Sequence, residues 1–215
     1  MSVSSRLLES AALAALAFLA ACSSPMGERM GQSLAVMRGF QSGEHAIPAT
    51  VFEHARGIAI LREGSGALVV GGAGGKGVYM QRAGFGWSAP VAIDTSSLSI
   101  GLQAGVQSRD IVIVFNTDDE VRTFLDDGVY GLAEAAAVAG PSKSDGKNAG
   151  GPVPATYYYI RNEGFFGGIL VGGVLFSTNS KVDEGEYGKG VTIEEIVSGK
   201  VRKPAGQQVL EQSLN

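Results

Sequence analysis

Between positions 57 and 116 short apolar and β-branched runs alternate with glycine, a texture that no long helix can adopt. The runs are Ile58 to Leu61, Ala67 to Val70, Val78 to Gln81, Val91 to Ile93, Leu98 to Val106 and Ile111 to Phe115. Strands of this length at regular spacing predict an antiparallel meander, sandwich or barrel. Glycine accounts for 32 of the 215 residues, about twice ordinary usage, with no collagen-like period. It therefore marks tight turns and close backbone approaches. The expected fold is α+β: a mainly antiparallel sheet, strongly curled or barrel-like, with helices near the N-terminus, after Thr117 and at the C-terminus.

The helical signals are local. Met30, Leu34, Met37 and Phe40 recur at spacings of four, three and three, one apolar face of a helix over 28–40 that could pack on the sheet or dip into a bilayer. Pro48 opens a second short helix through Ala55. Thr117 with Glu120 forms a capping box ahead of Val121, Phe124 and Leu125. Thr192 starts a short helix through Ile193, Ile196 and Val197 that Gly199 ends, and Val209, Leu210 and Leu214 close the chain with an amphipathic turn. Residues 140–154, rich in Gly, Ser, Lys, Asn and Pro, read as a surface loop, and Thr156 to Ile160 and Gly167 to Phe176 as two more strands.

The first 22 residues carry a separate message. Arg6 precedes an apolar run from Ala11 to Ala21 that is too short to span a hydrocarbon core of about 20 helical residues and fits the h-region of a secretory signal. Leu19-Ala20-Ala21-Cys22 resembles the bacterial lipobox, in which the cysteine is acylated and becomes the first mature residue. Residues 1–21 are thus expected to be a lipoprotein signal peptide, 22–27 a tether and 28–215 a single domain. Ser23 after the acylated Cys22 implies sorting to the outer membrane, on its periplasmic side. Cys22 is also the chain's one cysteine, so no internal disulfide, Cys-based zinc site or CxxC pair is available.

Charge and motifs exclude several chemistries. A net charge of −4 argues against a nucleic-acid binder. From Cys22 to Phe115 there are seven Lys/Arg and six Asp/Glu, and from Asn116 onward nine and fourteen, so an anion-binding surface belongs in the first half. Gly72-Ala73-Gly74-Gly75-Lys76-Gly77 satisfies GxGxxG, yet Val78-Tyr79-Met80 follows where a dinucleotide site needs a helix, so the run reads as a hairpin connection. The chain lacks GxSxG, and His45 and His54 have no metal-ligand spacing. Neither a catalytic residue, a cofactor nor a metal is expected.

The ordered motifs His54-Ala55-Arg56-Gly57-Ile58-Ala59-Ile60, Gly74 to Val78, Trp87-Ser88-Ala89-Pro90, Gly101 to Gly105, Ala139-Gly140-Pro141, Gly164 to Gly168 and Thr192 to Gly199 resemble the SYLF domain family over roughly residues 40–214. That resemblance implies a non-enzymatic phospholipid-binding module, found in eukaryotic actin-patch and FYVE-containing proteins and in bacterial lipoproteins. The residues add their own support. In a turn, Lys76 and the amides of Gly74, Gly75 and Gly77 could converge on a phosphate, and Arg38, Arg56, Arg62 and Arg82 lie in the same basic half. Anionic phospholipid is the expected partner, with a scaffold that binds another protein as the alternative; Trp87 suits either core or interface.

Mass spectrometry of the mature protein checks the leader. An acylated Cys22 at the N-terminus is expected, and Cys22→Ala should leave the chain unprocessed or soluble. An unmodified N-terminus away from Cys22 would contradict the assignment.

Overall fold

The computed structural model describes residues 24–42, 46–67, 70–84, 86–100, 105–126, 137–141, 153–163 and 175–214. Cys22, most of the 140–154 loop and the glycine pairs of 167–173 lie outside them. Among the described residues the elements in chain order are α1 (Pro25–Phe40), α2 (Thr50–Glu53), β1 (Gly57–Ala67), β2 (Val70–Ala83), β3 (Gly86–Trp87), β4 (Val91–Ile100), β5 (Gly105–Phe115), α3 (Asp118–Asp126), β6 (Ala137–Ala139), β7 (Thr156–Glu163), β8 (Leu175–Thr178), α4 (Ser180–Tyr187), α5 (Ile193–Val197) and α6 (Gln207–Gln212).

Seven strands lie side by side in the order β6-β7-β5-β1-β2-β4-β8, with β3 paired to β2. All neighbours are antiparallel except β6 and β7. Among the described residues the sheet is open, not strongly curled or barrel-like as the glycine-punctuated strands suggest. The reason is that both faces carry apolar side chains. Along β1, Ile58 and Ile60 enter a core on one face while Ala59 and Leu61 enter a second core on the other. A barrel buries one face inside itself; here helices cover both.

On the first face α1 lies across the sheet. Ser24 caps it by accepting from the Gly27 N–H at 2.9 Å, and Pro25 occupies its first turn. The helix therefore starts inside the stretch read as a tether, and Met26 is fully buried. Met30, Met37 and Phe40 face the sheet as the periodicity predicts, so this stripe packs on the domain. Two polar side chains of α1 are buried as well. Arg29 donates to the Ile93 carbonyl at 2.6 Å and pairs with Asp94 at 2.7 Å, and Ser33 donates to the Ile60 carbonyl at 2.9 Å. Near the helix end a Cβ on Gly39 would lie 2.1 Å from the Arg161 guanidinium, so glycine here makes room for a cation.

The second face is closed by α3 and α5. Phe124 of α3 stacks 4.8 Å from Phe115, 5.2 Å from Tyr79 and 5.7 Å from Phe176, measured between ring centroids. Thr117 accepts from the Glu120 N–H at the start of α3 and Thr192 caps α5, as their sequences predict; Glu195 completes a capping box with Thr192 that sequence reasoning did not name.

A buried acid fastens α4. Asp183 accepts from the Ala92 N–H at 2.8 Å, and burial pushes its carboxyl up to about 6, against the opposing pull of that hydrogen bond and of Arg29. A native pKa above the unfolded value of about 3.9 means that stability falls as pH rises from about 4 through 6. At neutral pH the buried charge is a net cost. Asp183→Asn keeps an acceptor for Ala92 and should gain on the native protein in urea unfolding at pH 7.5 relative to pH 4. Equal differences at the two pH values would contradict the burial account.

Candidate functional site

Register decides which basic residues meet. Gly57 of β1 pairs with Gln81 of β2 on one side and with Phe115 of β5 on the other. Just before it, the Arg56 N–H donates to the Phe115 carbonyl at 2.7 Å and its carbonyl accepts from the Arg82 N–H at 2.8 Å. Arg56 and Arg82, 26 positions apart in sequence, thereby sit side by side at one end of the sheet. There they line an open cleft of about 860 Å³ together with His54, Glu53, Phe52 and Asn116.

Arg82 is held in place from three directions. Its Nη2 donates to the Phe52 carbonyl at 2.5 Å, its Nε to the Ala55 carbonyl at 3.3 Å, and its guanidinium lies 4.1 Å above the Trp87 ring. The β2–β3 hairpin creates that stack, because Arg82 and Trp87 are cross-strand partners. Gly84 turns the hairpin at φ +58°, in the left-handed region that favours glycine. Burial, and then the neighbouring Arg56, hold the Arg82 pKa below its usual value. Arg56 is more than half exposed, and Asp118 approaches it only to 3.9 Å. Two guanidinium groups thus face one solvent-filled space, an arrangement suited to a phosphate or carboxylate.

The other basic residues occupy different places. Arg62 pairs with Asp110 at 2.6 Å, and Arg161 reaches the same carboxylate at 2.5 Å. Arg38 is exposed in the last turn of α1. Gly74, Gly75, Lys76 and Gly77 do not form a hairpin connection. They lie in the middle of β2, paired with β1 on one edge and β4 on the other, so their amides belong to two ladders. A Cβ on Gly77 would lie 2.1 Å from the Ile60 carbonyl, and this close approach explains a glycine inside a strand. Lys76 itself is exposed, with Arg62 and Asp94 as cross-strand neighbours.

Residues 96–215 match the model of the family described as Ysc84, Las17-binding protein actin regulator. The chain belongs to this family. LAS seventeen-binding protein 3 of Saccharomyces cerevisiae is 30% identical over 167 residues, covering 75% of the chain and 36% of that protein. SH3 domain-containing YSC84-like protein 1 of Rattus norvegicus is 32% identical over 176 residues, covering 79% of the chain and 51% of that protein. An SH3 domain-containing protein of Schizosaccharomyces pombe is 28% identical over 179 residues, with 80% and 41% covered. The chain spans about a third to a half of the length of these relatives.

The family agrees with the SYLF resemblance read from the ordered motifs. Arg56 and Arg82 precede the span that the family model matches. Sequence reasoning named both among four arginines but had no means of pairing them, and it gave no role to His54 or Asn116. Only the register of β1 joins these positions.

Trp87 is the chain's one tryptophan and reports on Arg82. Arg82→Ala should uncover the indole, shift its emission to longer wavelength and cost about 1–2 kcal/mol in urea unfolding through the lost stack and carbonyl bonds. An unchanged emission maximum would contradict the stacked geometry.

Proposed function

We propose that this chain is a lipid-anchored envelope protein, acylated at Cys22 and held on the periplasmic side of the outer membrane, whose Ysc84-family domain binds anionic phospholipid without catalysing a reaction. The observation that carries the reading is the convergence of Arg56 and Arg82 on one open cleft in a chain whose net charge is −4. Local positive charge on an acidic protein selects for an anion at that place and not for general attraction to polyanions. A guanidinium already ordered by two carbonyls and an indole loses little entropy on meeting a phosphate. The SYLF resemblance implies the same ligand class.

A second reading draws on the relatives, one of which carries the name LAS seventeen-binding protein. In that reading the acyl anchor supplies all membrane contact and the domain surface serves a protein.

Cosedimentation separates the two. The full chain carrying Cys22→Ala is mixed with phosphatidylcholine vesicles, with and without phosphatidylglycerol. Binding should require phosphatidylglycerol and weaken with salt. Arg56→Glu should lower it about tenfold, whereas Lys76→Glu and Arg38→Glu, which change net charge by the same amount at exposed positions, should change it less than about twofold. Equal losses for all three would remove the cleft as the site. Absence of binding at low salt would favour the protein partner.

A further inference from the structure

Two clefts meet at Arg82, and this defines what lies on each side of a bound phosphate. Arg82 and Gly84 line both. The first cleft, already described, has an apolar flank in Ala49, Phe52 and Leu214. The second, of about 580 Å³, lies between the β2–β3 hairpin and the end of α5, where Gln81, Ser88, Ser198 and Lys203 give it polar walls. No carboxylate is among the described residues that line it. The Glu211 carboxylate beside Lys203 is already paired with it at 2.7 Å and accepts from Gln207 at 2.6 Å, so an ammonium headgroup would have to displace Lys203, while a hydroxylated one would find donors and acceptors.

A phosphate monoester has one substituent and needs one cleft. A phosphodiester has two ester arms that leave phosphorus in different directions. We infer that the paired clefts take a glycerophosphodiester lipid with a hydroxylated headgroup: phosphate oxygens on Arg56 and Arg82, the diacylglycerol arm toward Phe52 and Leu214, and the headgroup in the second cleft against Ser198 and Lys203. This deepens the phospholipid reading and rests on it.

The donors are in place for such a ligand. Arg82 commits its Nε and one Nη2 hydrogen to carbonyls, and the remaining hydrogens of its five-donor fork stay available to a phosphate oxygen. Ser198 is exposed as the residue that ends α5. Lys203 lies 2.7 Å from Glu211 and keeps further N–H groups beyond that pair.

The test blocks one arm and spares the other. Ser198→Phe fills the second cleft from an exposed position, and Lys203→Ser removes a headgroup donor without adding bulk. Both are made in the full chain carrying Cys22→Ala and titrated with dihexanoyl phosphatidylglycerol and dihexanoyl phosphatidic acid below their micellar concentrations, with Trp87 emission as the readout. The unsubstituted cleft should bind both lipids. Each variant should weaken phosphatidylglycerol about tenfold and leave phosphatidic acid, which has no headgroup arm, within about twofold. Equal weakening of the two lipids, or of neither, would overturn the two-cleft inference while leaving phospholipid binding intact. Failure of the unsubstituted protein to bind either lipid would instead remove the phospholipid reading. Glycerophosphoglycerol, the same diester without acyl chains, should bind more weakly; equal affinity would overturn a lipid as the ligand in favour of a soluble diester.

Discussion

Asp110 fixes the sheet. Its carboxylate is fully buried and is shared by Arg62 of β1 and Arg161 of β7, so one acid ties three adjacent strands across the β1, β5 and β7 register. A one-residue slip of β5 would carry Asp110 to the opposite face, toward the Tyr79 and Phe124 rings, and leave both arginines without it. Arg62 and Arg161 are 29% and 34% exposed and Asp110 keeps one when the other is removed, so the severe cost comes with losing both, which strands a buried carboxylate. The apolar cores on either face tolerate some rearrangement; this charged row does not. It also seats α1, because Arg161 packs 5.5 Å from the Phe40 ring and against Gly39.

The cleft inherits its geometry from that register. Once Arg62 stands opposite Asp110, Gly57 stands opposite Phe115; the β1–β2 ladder sets Gly57 against Gln81 on its other side, and the Arg56 peptide joins β5 to β2. Arg56 and Arg82 are then joined by the backbone bond from the Arg82 N–H to the Arg56 carbonyl at 2.8 Å. Their mutual repulsion is sustained by the carbonyls and indole that grip Arg82 and by the ladder that grips Arg56. An anion in the cleft relieves this repulsion, which links the rigidity of the sheet end to the proposed binding.

Capping signals and apolar periodicity made the helices legible from sequence except α4, where the acidic run of Asp183, Glu184 and Glu186 reads as a loop despite the Asn179 cap. Thr117 with Glu120, Thr192 at its cap position, and the Met30, Met37 and Phe40 stripe each act within one or two turns, so local residues suffice to read them. The sheet was legible in kind but not in closure. Alternation along Ile58, Ala59, Ile60 and Leu61 puts apolar groups on both faces, and an uninterrupted apolar run cannot say whether helices or a second part of the same sheet will cover them. The glycines misled for a related reason: Gly74 to Gly77 look like a turn, but long-range pairing to β1 and β4 overrides that local preference. The site was least legible, because Arg56 and Arg82 meet only through the long-range pairing of β1 with β2.

In the proposed function, the cleft at this sheet end is where the domain meets phospholipid. Paramagnetic broadening in NMR tests it most directly, using the full chain carrying Cys22→Ala and phosphatidylglycerol nanodiscs doped with a headgroup spin-labelled lipid. The account predicts that amide signals of Arg56, Arg82, Gly84 and Ser198 lose the most intensity, while those of Lys76 and Arg62 in the middle of the sheet lose little. Attenuation centred on Lys76, or spread evenly over the surface, would contradict it.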